Sequence, residues 1–262
     1  MVPRLLATRY HRTMTSGRTK PAIFACEDER GTSVGEYVVK LRGAMETGGT
    51  GLICEVVASL AARHLGISAP EPALIALDPA LIESLAVTDP AWTKRLGSSQ
   101  GVNFGTRVIS GGSATWPQDQ PVPTALRRQA AEIFAFDALI QNPDRKYNNP
   151  NLLRRGDEIF VIDHECAFSF LLALGQQDPP WNLERLGFLE QHVFYRPLHG
   201  VTIDLDAFIA ALESMTNQLM NRWMEEVPPE WGTERLPIIA AHLQAVRKHS
   251  REFVEQVRRR LA

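Results

Sequence analysis

Short runs mixing apolar and polar positions fill the first 42 residues of the chain. "RLLATRYH", "AIFACE" and "EYVVKLRG" each have strand character, and the turn-rich "RTMTSGRTKP" and "DERGTSVG" separate them. The simplest assembly of the three is an antiparallel sheet. After "GAMETGGTG" the period changes. In "LICEVVASLAARHLG", Leu52, Val56 and Leu60 fall on one helical face and Ile53, Val57 and Ala61 on the next, with Gly66 as a natural C-terminal stop. "APEPALIAL" reads as a further strand, "DPALIESLAVTDPAWTKRLG" as short helical pieces, and "GVNFGTRVIS" as a return to β structure. The stretch "GGSATWPQDQPVP" has the Gly/Pro/polar content of a hinge. It divides the chain into an N-terminal lobe, residues 1–112, and a C-terminal lobe, residues 113–262.

The second lobe is predicted to be mainly helical. From Thr124 to Ile140, the residues Leu126, Ala130, Ile133 or Phe134, and Ala138 make a buried stripe. The polar stretch "QNPDRKYNNPNLL" interrupts this apolar region, and a strand pair, "NLL" and "EIFVI", follows. Helices are expected over "NLERLGFLEQHV", "DLDAFIAALESMTNQLMNRWMEEV" and "RLPIIAAHLQAVRKHSREFVEQVRRRLA". The last places Ile239, His242 or Leu243, Val246, Phe253 and Val257 at helical spacing. The class is α+β, with a β-rich first part and a helical second part.

Composition narrows the function classes. A chain of 262 residues with 44% hydrophobic content fills an ordinary globular core. No apolar run reaches membrane-spanning length, and "MVPRLLATRYHR" is too charged for a signal-peptide core, so the expected setting is the cytoplasm. Cys26, Cys54 and Cys166 are odd in number and widely spaced, which argues against a disulfide framework or a zinc site; they read as small buried hydrophobes. A net charge of -2 gives no global basic field, and the basic C-terminal stretch is interleaved with Glu252 and Glu255, so nucleic acid is not a favoured partner.

The polar loop changes the picture. Transfer of the γ-phosphoryl of ATP needs a cation on the phosphates, oxygen ligands for magnesium, and a carboxylate beside the acceptor hydroxyl. Kinase-like folds supply these as a strand lysine, a helix glutamate, a loop aspartate, an asparagine five residues later, and an aspartate after the next hairpin. Lys40, Glu55, Asp144, Asn149 and Asp163 occur in that order. Each alone has a bland alternative: a surface lysine, loop chemistry for Asp144 and Asn149, a turn residue at Asp163. Asp137 on the preceding helix reads as a group that ties down the loop, Arg145 as a structural ion-pair partner, Asn151 as a loop anchor, and His164 and His192 as packed or hydrogen-bonded histidines.

"YVVKLRG", "GVNFG", "FDALIQNPDRKYNNPNLL" and "VIDHECAF" together resemble the HipA-like kinases, in particular their compact single-domain branch. The resemblance covers roughly residues 5 to 200. It implies a bilobal protein-kinase-like fold that uses ATP and Mg²⁺, with protein Ser/Thr phosphorylation as activity. It also implies Asp144 as catalytic base, Asn149 and Asp163 as magnesium ligands, and Lys40 on the phosphates with Glu55 as its partner. "SGRTKPA" is similar to the family's phosphate-covering loop, which makes Ser16 and Gly17, together with Val108, the further nucleotide contacts. Two features depart from the pattern: there is no GxGxxG, and Glu165 stands where many relatives carry glycine. HipA toxins carry an extra N-terminal subdomain, for which a chain beginning just before its first kinase strand is expected to have no room, so neither a toxin role nor an antitoxin partner is carried over. Three readings share the site: a protein Ser/Thr kinase, a small-molecule kinase, and a nucleotide-binding regulator with little turnover.

Overall fold

The computed structural model describes residues 1–14, 19–86, 96–118, 120–172 and 178–262. Strands β1 (Arg4–Thr13), β2 (Ala22–Glu27) and β3 (Ser33–Lys40) form where the alternation predicts them. They do not make a free three-stranded sheet. With β4 (Pro72–Leu77) and β5 (Gly101–Arg107) they close into a barrel in the order β1-β2-β3-β5-β4, sealed by a parallel pairing of β1 with β4 at Arg4–Leu74 through Ala7–Leu77. Closure satisfies the backbone groups that an edge strand would expose. The interior is filled by Leu5, Ala7, Phe24, Tyr37, Val39, Ile75 and Leu77. The wall is tight at Gly105, where a Cβ would lie 2.6 Å from Ile75 Cγ1.

Helix α1 (Gly49–His64) follows the predicted span and stops at Gly66, whose φ of 75° is the left-handed conformation that ends helices. A short helix, α2 (Pro79–Ala86), comes after β4. The rest of the expected helical stretch over 87–95 lies outside the described residues.

The chain divides into two compact units. Unit 1 comprises Met1–Val56, Pro70–Ile109 and Glu226–Thr233; unit 2 comprises Val57–Ala69, Ser110–Glu225 and Glu234–Ala262. Within unit 1, Trp231 donates its indole N–H to the Val102 carbonyl at 3.2 Å, and its own carbonyl lies so near the start of α1 that a Cβ on Gly49 would be 2.0 Å from it.

Unit 2 is built on α3 (Arg127–Leu139), which is buried nearly all round in its second half. A small sheet of β6 (Ala114–Thr115), β7 (Leu152–Arg155) and β8 (Glu158–Val161) follows in the order β6-β7-β8. The expected hinge is therefore partly ordered: β6 pairs with β7, Trp116 N–H donates to the Leu152 carbonyl at 2.9 Å, and the indole is buried. Three expected helices are corrected. "NLERLGFLEQHV" forms a 3-10 turn (Gly187–Gln191) rather than a helix, because its last residues give their backbone groups to the polar loop. A single turn, α4 (Tyr195–Leu198), follows it. The next stretch splits into α5 (Asp206–Glu213) and α6 (Asn217–Glu225), the second capped by Thr216 Oγ1 on Leu219 N–H at 3.2 Å. The C-terminal pattern splits into α7 (Leu236–Lys248) and α8 (Ser250–Leu261) at His249, whose ψ of 30° leaves the helical range and whose ring stacks on Trp181 at 3.5 Å. Among the described residues, no helix is long and apolar enough to cross a membrane.

Candidate active site

In unit 1, Lys40 ends β3 and Glu55 lies in the middle of α1; both are buried, at 8% and 1% exposure, and Lys40 Nζ donates to Glu55 Oε1. Desolvating two charges offsets much of their attraction, so such a pair is poor evidence of stability and better evidence of a positioned cation. The strand end is fixed by Asn103, fully buried, which accepts the Arg42 N–H at 2.8 Å and donates to the Ser99 and Gly101 carbonyls. Val108, half-buried just past β5, donates its N–H to the Glu36 carbonyl at 2.9 Å and so prolongs the β3–β5 ladder. Ser16 and Gly17 lie outside the described residues.

In unit 2, the polar loop begins where α3 ends and is organised around two carboxylates. The first, Asp137, is fully buried. Its Oδ2 accepts from Arg145 Nε at 2.5 Å and from His192 Nε2 at 3.0 Å, and its Oδ1 from Asn142 Nδ2 at 3.1 Å. Burial opposes its ionisation, yet the Arg145 guanidinium and the His192 hydrogen bond hold its carboxyl below the usual range. Arg145, buried as a whole, also donates to the carbonyls of Asn151 and Ile162. These two residues are the structural ties the sequence suggests.

The second carboxylate, Asp144, is half-buried. Both Asn149 Nδ2, at 2.9 Å, and Asn151 Nδ2, at 3.1 Å, donate to its Oδ2, and its own N–H donates to Asn142 Oδ1 at 3.1 Å. The oxygen left to meet a proton is Oδ1. Asp163 follows β8 with φ of 61°, and its loop is laced to the first: Ile162 N–H donates to the Asn151 carbonyl at 3.1 Å and Phe168 N–H to the Ile140 carbonyl at 2.5 Å. Among the described residues, Gln141, Asn151, Asp163 and Phe168 are four of the five non-glycine residues with positive φ. Such strain persists where surrounding contacts impose it, and it gathers at functional loops. The structure thus brings Asp144, Asn149 and the backbone leading to Asp163 into one hydrogen-bonded assembly.

The donors fit a hard divalent cation. Asn149 gives its amide nitrogen to Asp144, so its oxygen is the atom that would face a cation, and Asp163 would add a carboxylate. Among the described residues there is no cluster of three His, Cys, Asp or Glu side chains that could hold a metal ion. Magnesium bound through one carboxylate, one amide and substrate phosphates needs no such cluster.

Sequence reasoning did not single out Asn142, and it read His192 as a packed or hydrogen-bonded histidine without naming its partner, Asp137. His192 joins the loop from 55 residues beyond Asp137, whereas Asn142, within the polar run itself, carried a local signal.

A family model described as HipA-like kinase matches residues 8–257. The chain belongs to the HipA-like kinase family. Among solved structures, this HipA-like kinase is similar to a Helicobacter pylori proinflammatory kinase, CtkA, with 13% sequence identity and a TM-score of 0.51. The likeness covers 97% of this chain and 98% of that one. At that identity it speaks for the fold alone, a mixed α+β kinase architecture. No curated protein matches the chain.

Proposed function

We propose that this HipA-like kinase is a bilobal, ATP- and magnesium-dependent phosphotransferase whose acceptor is a serine or threonine hydroxyl of a protein. The observation that carries the reading is the clamp on Asp144: two amide donors fix one carboxylate oxygen, so the other faces an acceptor as a general base. The base takes the acceptor's proton as the new O–P bond forms, and ADP leaves with the electrons of the broken bond. Lys40, held by Glu55, supports the reading as a cation for the phosphates. Asn149 and Asp163 would hold Mg²⁺, which neutralises phosphate charge when bound. A cytoplasmic setting goes with ATP as the donor, and the partner is the phosphorylated protein.

The test uses γ-labelled ATP, Mg²⁺ and a lysate separated into protein and small-molecule fractions. Label in the protein fraction, at serine or threonine, is the expected result. Asp144→Ala should lower transfer by about 10³-fold or more while nucleotide binding persists, and Asp163→Ala should remove the magnesium dependence of that binding. Full transfer by Asp144→Ala would end the assignment, and label confined to metabolites would replace the protein acceptor with a small one.

A further inference from the structure

His192 lies 48 residues beyond Asp144 in the chain. We propose that it is a positioning residue for that base, acting through Asp137. The inference rests on the reading of Asp144 as general base.

Its tautomer is fixed from both sides. Nδ1 accepts the Phe194 N–H at 3.1 Å, so the ring proton sits on Nε2 and is donated to Asp137 Oδ2 at 3.0 Å. Phe134 meets the imidazole edge to face, with centroids 5.0 Å apart, and sets the ring's plane. Burial holds the imidazole's pKa below its ordinary value, so it donates as a neutral group. That suits a site where Arg145 already supplies a cation to the same oxygen.

The consequence reaches Asp144 by two routes. With His192 and Arg145 on Oδ2, Asp137 keeps Oδ1 for Asn142, and Asn142 in turn accepts the Asp144 N–H. In parallel, the residues flanking His192 pair with the loop's backbone. Val193 N–H donates to the Arg145 carbonyl at 3.1 Å, and Tyr147 N–H donates to the Gln191 carbonyl at 3.3 Å. The segment that carries His192 is therefore paired with the peptide units on either side of Lys146, two residues beyond the base. A displacement of about 1 Å at such a base lowers rate by roughly 10²-fold.

A packing role alone predicts that any side chain of similar volume serves. A positioning role requires a donor at the place of Nε2. His192→Gln keeps a donor there; His192→Leu keeps apolar volume and has none. In the full chain, with γ-labelled ATP and a mixed Ser/Thr peptide pool as acceptor, His192→Leu is expected to lose about 10–100-fold in kcat with the KM for ATP changed less than about threefold. His192→Gln should recover to within about fivefold of the parent. Equal activity of the two variants, whether high or low, overturns the proposal. Nitrogen-15 NMR of the unaltered chain decides the matter even if His192→Leu fails to fold: a neutral, Nε2-protonated His192 is expected, and an Nδ1-protonated ring would overturn it. Asp144→Asn run alongside separates the two readings. Its inactivity leaves the base assignment standing and the His192 series to be judged by itself; its full activity removes the base, and with it the target of the positioning.

Discussion

Beneath the end of α3, the Leu139 carbonyl receives the Nε2–H of His242 at 2.7 Å, and Phe170 stacks on the same ring at 4.2 Å. Burial drives this imidazole's pKa down to about 4 from an ordinary 6.5. The unfolded chain therefore binds a proton that the folded chain refuses, so the stability His242 contributes is full above about pH 6.5 and is lost as pH falls toward 4. The loss amounts to about 3 kcal/mol in all. Urea midpoints measured from pH 7 to 4.5 should decline, less steeply in His242→Gln; identical slopes would remove this group as the cause. His192 has the same sign. Thiols offer a second residue-scale check. Burial pushes Cys26 up to about 12 and Cys54 is buried, whereas Cys166 is exposed, against the expectation that all three are buried. A thiol reagent at pH 8 should modify one residue quickly in the folded chain, and Cys166→Ser should abolish that phase. Lys40, Glu55 and Asp163 stood out in the sequence as charged residues set against apolar runs, and Asp144 as part of the polar stretch that interrupts one; the structure pairs Lys40 with Glu55 and places Asn149 and Asn151 on Asp144. Among the asparagines, sequence had no means to show that Asn149 and Asn151 grip the same carboxylate oxygen, since that depends on the left-handed turn at Asn151.

Strands and helix α1 were readable from periodicity because burial on a barrel wall or a helix face repeats locally. The closing partner of β1 was not, since which strand pairs with which is decided by chain path and not by period. Helix breaks were missed for a related reason. At His249 one residue leaves the helix while Val246, Phe253 and Val257 stay buried, so the apolar pattern runs straight across the break. The start of α1 carries its own prediction. Alanine is ordinarily the better helix former, by up to about 1 kcal/mol over glycine. Gly49→Ala should instead destabilise the chain by about 1–3 kcal/mol, because its Cβ meets the Trp231 carbonyl and backbone has to move. Chemical denaturation reads the difference, and a stabilised variant would contradict the contact.

At the scale of the whole chain, the family was visible in a handful of motifs, because the polar loop and the aspartate after β8 combine residue types at a spacing that few loops share. The path of the chain was not visible. Glu226–Thr233 belongs to unit 1 although unit 2 supplies the residues on both sides of it. No composition shift marks it, and its contacts with Gly49 and Val102 are made far from it in sequence. A ribosome adds about 5–20 residues per second, so the N-terminal unit emerges roughly ten seconds before the tryptophan that completes it. During that interval the Gly49 end of α1 stands uncovered. For a nascent chain this reverses the usual order of N-terminal domains first: a segment made later is needed to finish a unit begun before it.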